Sequence, residues 1–198
     1  LCVLMARKAT WRMLKSPANL NVFLGATVIV LGLWLIKTGI RPGLNFHLLG
    51  ATALTLMFRP WFAILAIGLI VAGITLVNGQ FDAYPANLLM MGVLPVSVSW
   101  TIYRYVDGRL PNHFFIYIFL NCFFGAGITI ALVGIASTVF AATAGIYTLN
   151  YLLDNYLPFY LLMAWAEAFI TGMIMTVLVV YRPDWVATFD DSRYLQSK

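Results

Sequence analysis

Arg41-Pro-Gly-Leu-Asn-Phe-His-Leu-Leu-Gly50 is the stretch on which the reading of the chain turns. Asn45 and His47, two positions apart, open an apolar run that continues to Phe58. Polar side chains are expensive inside lipid, and where they occur they mark a functional or structural site. Working outward, residues 20–36 form an apolar run closed by Lys37 and Arg41, and Arg59-Pro60 closes the run that His47 opens. The stretch therefore joins two apolar segments, and it predicts a metal or small-solute site near one face of a helical bundle.

Composition supports the membrane reading. Of 198 residues, 62% are hydrophobic and 10% are charged, against about 25% charged in a soluble domain. The chain reads as an all-α polytopic membrane protein and one transmembrane domain over 1–198. Residues 1–19 form an opening segment, 20–181 the bundle and 182–198 a tail. Cys2 and Cys122 show no CxxC or Cys/His spacing, so neither a disulfide framework nor a zinc module is indicated. The opening Leu-Cys-Val-Leu-Met before Arg7-Lys8 is shorter than the apolar region of a signal peptide, about 7–15 residues. It reads as the last turn of a truncated membrane helix, which gives an expectation of seven helices in the full-length protein.

Six spans are visible: residues 20–36, 44–58, 61–77, 86–103, 113–145 and 158–181. The second is short, because a helix over 44–58 reaches only about 22 Å against a hydrocarbon core of about 30 Å. Pro60 is expected to break the chain after it, and Pro95 to kink the fourth span. An even number of spans puts Arg7, Lys8, Arg12, Lys15, Arg59, Arg104, Arg109, Arg182, Arg193 and Lys198 on one side. Only Lys37 and Arg41 remain on the other. By the positive-inside rule both ends of the chain are cytoplasmic, and the net charge of +5 reflects orientation rather than nucleic-acid binding.

Few residues are candidates for chemistry. A neutral imidazole is a common ligand for nickel, copper, zinc and iron, so His47 is either a metal ligand or an interfacial histidine bonded to backbone, with Asn45 beside it. Glu167 is the one acidic residue well inside a span. It marks an ion path, a proton relay or a structural hydrogen bond between helices, with Thr171 four residues on along the same face. Asn87, Met90 and Met91 open the fourth span; methionine sulfur suits soft copper, and methionine also simply packs. Asn121, Cys122 and the small residues from Gly125 to Gly145 read as close helix packing. No His-Glu-x-x-His, Gly-x-Ser-x-Gly or phosphate-cradling glycine loop occurs. The chain is therefore not read as an enzyme, and energised transport would need partner ATPases.

The segments Gly43-Leu-Asn-Phe-His47-Leu-Leu-Gly50, Arg59-Pro-Trp, Pro85-Ala-Asn87-Leu-Leu-Met90-Met91-Gly92 and Glu167-Ala-Phe-Ile-Thr171 together resemble a known family. It is the CbiM/NikM-like membrane substrate-binding component of energy-coupling-factor transporters, in a divergent branch. That family typically shows Gly-Pro-Trp where this chain has Arg59-Pro-Trp, and an asparagine where it has Met90. The resemblance implies a substrate-capturing subunit of an ATP-powered transporter for a divalent transition metal, cobalt or nickel, in the bacterial inner membrane. It implies a coupling transmembrane protein and cytoplasmic ATPases as partners, docked at Arg104–Asn112 and the tail, with no intrinsic cofactor. His47 matches a family metal ligand, which there acts together with an N-terminal segment. The alternative expectation is a structural or assembly subunit of a larger membrane complex, with His47 packing or holding copper.

Overall fold

The structure, a computed structural model, describes residues 16–36, 38–41 and 44–194. The expected end of a truncated helix and most of the basic opening segment lie outside the described residues, as do Lys37 and the last four positions.

Helix α1 (Pro17–Leu35) starts on a proline, whose missing N–H is harmless in a first turn. It buries Phe23, Thr27, Val30 and Trp34, a single stripe at 4-3-4 spacing, and leaves its other faces to lipid. A hairpin follows, β1 (Thr38–Arg41) with β2 (Leu44–Phe46). It is antiparallel, with Thr38 opposite Phe46 and Gly39 opposite Asn45, and the register shifts before Arg41. Then come α2 (Ala51–Asn78), α3 (Phe81–Arg109), α4 (Phe114–Thr143), the short α5 (Leu149–Asn155), α6 (Leu157–Tyr181) and α7 (Asp191–Tyr194). Five helical elements among the described residues, α5–α6 counting as one, are long and apolar enough to cross a membrane. The all-α polytopic class is borne out.

The second expected span needs correction. Residues 44–58 do not form one helix: they form strand β2, four residues without regular structure, and the first eight residues of α2. Arg59 then breaks α2 with φ 65° and ψ 165°. Leu49 and Gly50 bond Glu167 in the body of α6, whereas Leu56 and Met57 bond the segment that follows α6. The short helix thus runs toward the end of the bundle where α6 stops. The remainder of α2 runs back alongside α3, where Tyr84 donates to the Gly68 carbonyl. Hydropathy located this crossing, but an apolar run does not distinguish a helix from a buried extended segment.

At Pro95, where a kink is expected, α3 continues and its preceding turn widens. The preceding residues Leu89–Val93 are a π-turn in which the Leu94 N–H reaches the Leu89 carbonyl five residues back. Widening the turn relieves the clash of the proline ring with the carbonyl four residues earlier. The glycines of α4 do allow close packing on α6. A Cβ at Gly134 would lie 2.5 Å from Tyr160 Cβ, and one at Gly127 would meet Ala164 O and Ala168 Cβ.

The tail holds a second surprise. After Tyr181 the chain folds back, burying Val186, Thr188, Phe189 and Tyr194. Ala187 N donates to Met57 O at 3.0 Å, and Tyr103 OH donates to Thr188 O at 3.2 Å. Tyr194 OH and Arg193 both donate to Asp107 Oδ1, at 2.9 and 3.0 Å. Burial first, and then the Tyr103 phenol and Asp107, push the Tyr194 phenol well above its usual pKa, so it remains a donor.

A left-handed, extended backbone such as that of Arg59 is glycine territory and costs other residues about 1–3 kcal/mol. Among the described residues the exposed Arg59 guanidinium makes one hydrogen bond, of 3.4 Å, to Ala187 O in return. Arg59→Gly should therefore stabilise the protein, by about 1 kcal/mol once the entropy of glycine in the unfolded chain is set against the relief of strain. A raised thermal unfolding midpoint in detergent is the expected result; a lowered one would show that the arginine side chain anchors the turn.

Candidate functional site

The site is built on the four residues between β2 and α2. Alternation along β2 buries Leu44 and Phe46 and leaves Asn45 half-buried on the opposite face. Phe46 enters a nest made by Tyr156, Phe159 and Tyr160, with ring centroids 5.3, 5.7 and 5.3 Å away. That contact fixes where the strand ends. His47 follows, half-buried, with its ring tilted 38° over the Trp34 indole at a centroid distance of 4.2 Å. Its Nδ1 lies 3.4 Å from the Leu48 carbonyl.

Leu49 and Gly50 are the anchor. Leu49 N donates to Glu167 Oε2 at 2.9 Å and Gly50 N to Oε1 at 2.7 Å. The Leu49 carbonyl accepts from Trp34 Nε1 at 3.1 Å. Two side chains from α1 and α6 thus satisfy three backbone contacts or faces of a non-helical segment: both polar groups of Leu49 and the N–H of Gly50. Gly50 has φ +65°, and a Cβ there would lie 3.0 Å from Val30 Cγ2, so glycine serves both the turn and the close approach of α1.

Glu167 is buried and joins α6 to this loop, not helix to helix. Thr171, one turn further on, is also buried. Both line a groove of about 350 Å³ between α1, the start of α2 and α6, whose walls are otherwise apolar and include Val30, Leu54 and Ile174. Asn45 sits against Gly39 across the hairpin; its Oδ1 lies only 2.6 Å from where a Cβ of that residue would be. Asn87, Met90 and Met91 lie elsewhere. They are on the first part of α3, whose Gly92 faces Ile67 in the second half of α2. Asn87 is exposed, and Met91 packs on the core. Among the described residues no group of three or more His, Cys, Asp and Glu side chains converges on a point.

Sequence reasoning did not find Trp34, the aromatic nest or the left-handed Gly50. Only Gly50 left a trace, as a glycine placed directly before a helix.

A crossing that begins in a non-helical loop, its backbone bonded by side chains of α1 and α6, fits a multi-pass membrane protein, where irregular backbone is tolerated only when buried in protein. The chain belongs to the CbiM family, described as the cobalt uptake substrate-specific transmembrane region, which matches residues 1–185. It is thus a membrane subunit of the metal-transport class. Two crystal structures share the fold. One, described as a truncated transition metal transporter, is 19% identical with a TM-score of 0.76, over 91% of this chain and 88% of that one. The other, described as a transition metal transporter, is 19% identical with a TM-score of 0.74, over 89% and 82%. No curated protein shows significant sequence similarity to the chain.

Glu167→Gln isolates the anchor. A carboxamide offers one acceptor oxygen, so one of the two N–H groups loses its partner at a cost of about 1–3 kcal/mol. Hydrogen exchange across residues 46–58 should accelerate at least tenfold, while Thr171→Val leaves it unchanged. Equal exchange in Glu167→Gln and the parent would mean that the loop is held by its apolar contacts alone.

Proposed function

We propose that the chain is the substrate-capturing membrane subunit of an ATP-powered uptake transporter for a divalent transition metal, cobalt or nickel, with His47 as a metal ligand. The observation that carries this reading is the double hydrogen bond from Leu49 and Gly50 to Glu167. It holds a non-helical loop, and the imidazole on it, inside a bundle that belongs to a cobalt-uptake family. An imidazole whose plane is set by Trp34 and whose backbone is pinned meets the metal with little left to order. Second-shell support of this kind commonly governs affinity.

In this reading the residues divide the work. His47 contacts the metal and Asn45 flanks it. Glu167 positions the loop, and Thr171 lines the groove beneath. Asn87, Met90 and Met91, on α3, are assigned no direct contact with the metal. The chemistry on the substrate is capture and release only. ATP hydrolysis belongs to cytoplasmic ATPases acting through a coupling transmembrane protein, with residues 104–112 and the segment after α6 as docking surfaces. The basic residues at that end support a cytoplasmic orientation for it, in a bacterial inner membrane.

Metal content tests the reading. The full-length protein, purified without chelator, should carry about one equivalent of cobalt or nickel by mass spectrometry, consistent with neutral-imidazole ligation. His47→Ala should lose at least nine-tenths of it. Copper lost in the same variant would transfer the site to copper handling, and absence of metal from both proteins would overturn the proposal.

A further inference from the structure

The short helix 51–58 ends without the means to finish itself. Because Arg59 leaves the helix, the carbonyls of its last turn have no helical partner. Two of them are bonded by the segment after α6. Thr188 Oγ1 donates to Leu56 O at 2.7 Å and Ala187 N donates to Met57 O at 3.0 Å. Thr188 Oγ1 in turn lies 2.7 Å from Tyr117 OH, and its own carbonyl accepts from Tyr103 OH. One threonine therefore ties α2, α3 and α4 together at the end of the bundle where α6 stops.

Immediately behind this tie, α4 is a π-helix over Tyr117–Phe124. Asn121, about one π-turn above Tyr117, is 2% exposed, and neither Nδ2 nor Oδ1 has a partner among the described residues. Cys122 beside it is fully buried. A buried carboxamide with both ends unsatisfied is costly and calls for a ligand or water. π-helical turns recur where a helix has been reshaped for function.

We propose that the segment 186–194 is an inner gate. Docked through Thr188, it closes that end of the bundle over Tyr117 and the unsatisfied Asn121; undocked, it opens that end to water and to the departure of a divalent cation. The cargo rests on the function proposed above, but the gate itself can be read without metal.

Inside-out membrane vesicles carrying the full-length chain with its partners, in a Cys2→Ser background, present Cys122 as the reporter thiol of this chain. A membrane-impermeant maleimide should label it slowly in the parent and at least tenfold faster in Thr188→Val, which keeps the shape and removes the side-chain bonds. Equal rates in the two would overturn the gate. A second variant does not depend on the first folding. Met57→Cys with Ala187→Cys, in a background lacking both native thiols, joins positions whose backbones are hydrogen-bonded at 3.0 Å. Oxidation should cut cellular uptake of cobalt or nickel at least tenfold, reversibly with dithiothreitol, while metal retained by the purified protein stays the same. Undiminished uptake after complete cross-linking would overturn the gate; failure of both proteins to hold metal, with the labelling difference intact, would overturn the cargo and leave the gate standing.

Discussion

A backbone amide inside a hydrocarbon layer has no water to bond, and each unsatisfied group costs several kilocalories per mole. Every crossing must therefore find partners for its peptide groups, and residues 47–50 cannot find them along a helix. The Glu167 carboxyl supplies two, accepting from consecutive N–H groups 118 and 117 residues away in sequence. Trp34 supplies a third through the Leu49 carbonyl, and the Gly50 carbonyl starts α2 by accepting from Leu54. Irregular backbone at this depth is tolerable only because those partners exist. The placement of His47 follows from them.

The same constraint acts at the other end of the short helix. Eight residues are too few to hold a helix by themselves, and the break at Arg59 leaves their last carbonyls bare. Thr188 and Ala187 supply the missing donors. The element carrying the candidate site is therefore tied at its top to the body of α6 and at its foot to the segment that α6 feeds. Both ties run to one stretch of chain, so a shift of the terminal segment and a shift of the loop are mechanically related through a helix of only two turns.

Much of this was legible in the sequence, and the parts that were not have physical reasons. Hydropathy placed the crossings, since lipid penalises charge at every position of a span. Arg59-Pro60 announced its break because proline removes a donor wherever it sits. Glu167 stood out as the single acid deep in a span. Its partner did not, because a backbone N–H is the same in every residue and leaves no mark in composition. Strand β2 was hidden by its apolar character, and the docking of Thr188 by the charges that flank its segment, Asp184, Asp190, Asp191 and Arg193, which read as solvent-facing.

The geometry also fixes how Glu167 and His47 can share the site. Glu167 has two oxygens, and both are engaged by the loop. To coordinate a cation it would have to release at least one N–H, and that N–H would be left unpaired in a buried setting, at a cost comparable to the bond it lost. Coordination by Glu167 and order in the loop therefore oppose each other. An imidazole on the same loop faces no such conflict, since its position depends on the loop being closed. The carboxyl and the histidine are coupled in one direction: Glu167 sets the loop, the loop sets His47, and loss of the carboxyl reaches the imidazole through the backbone between them.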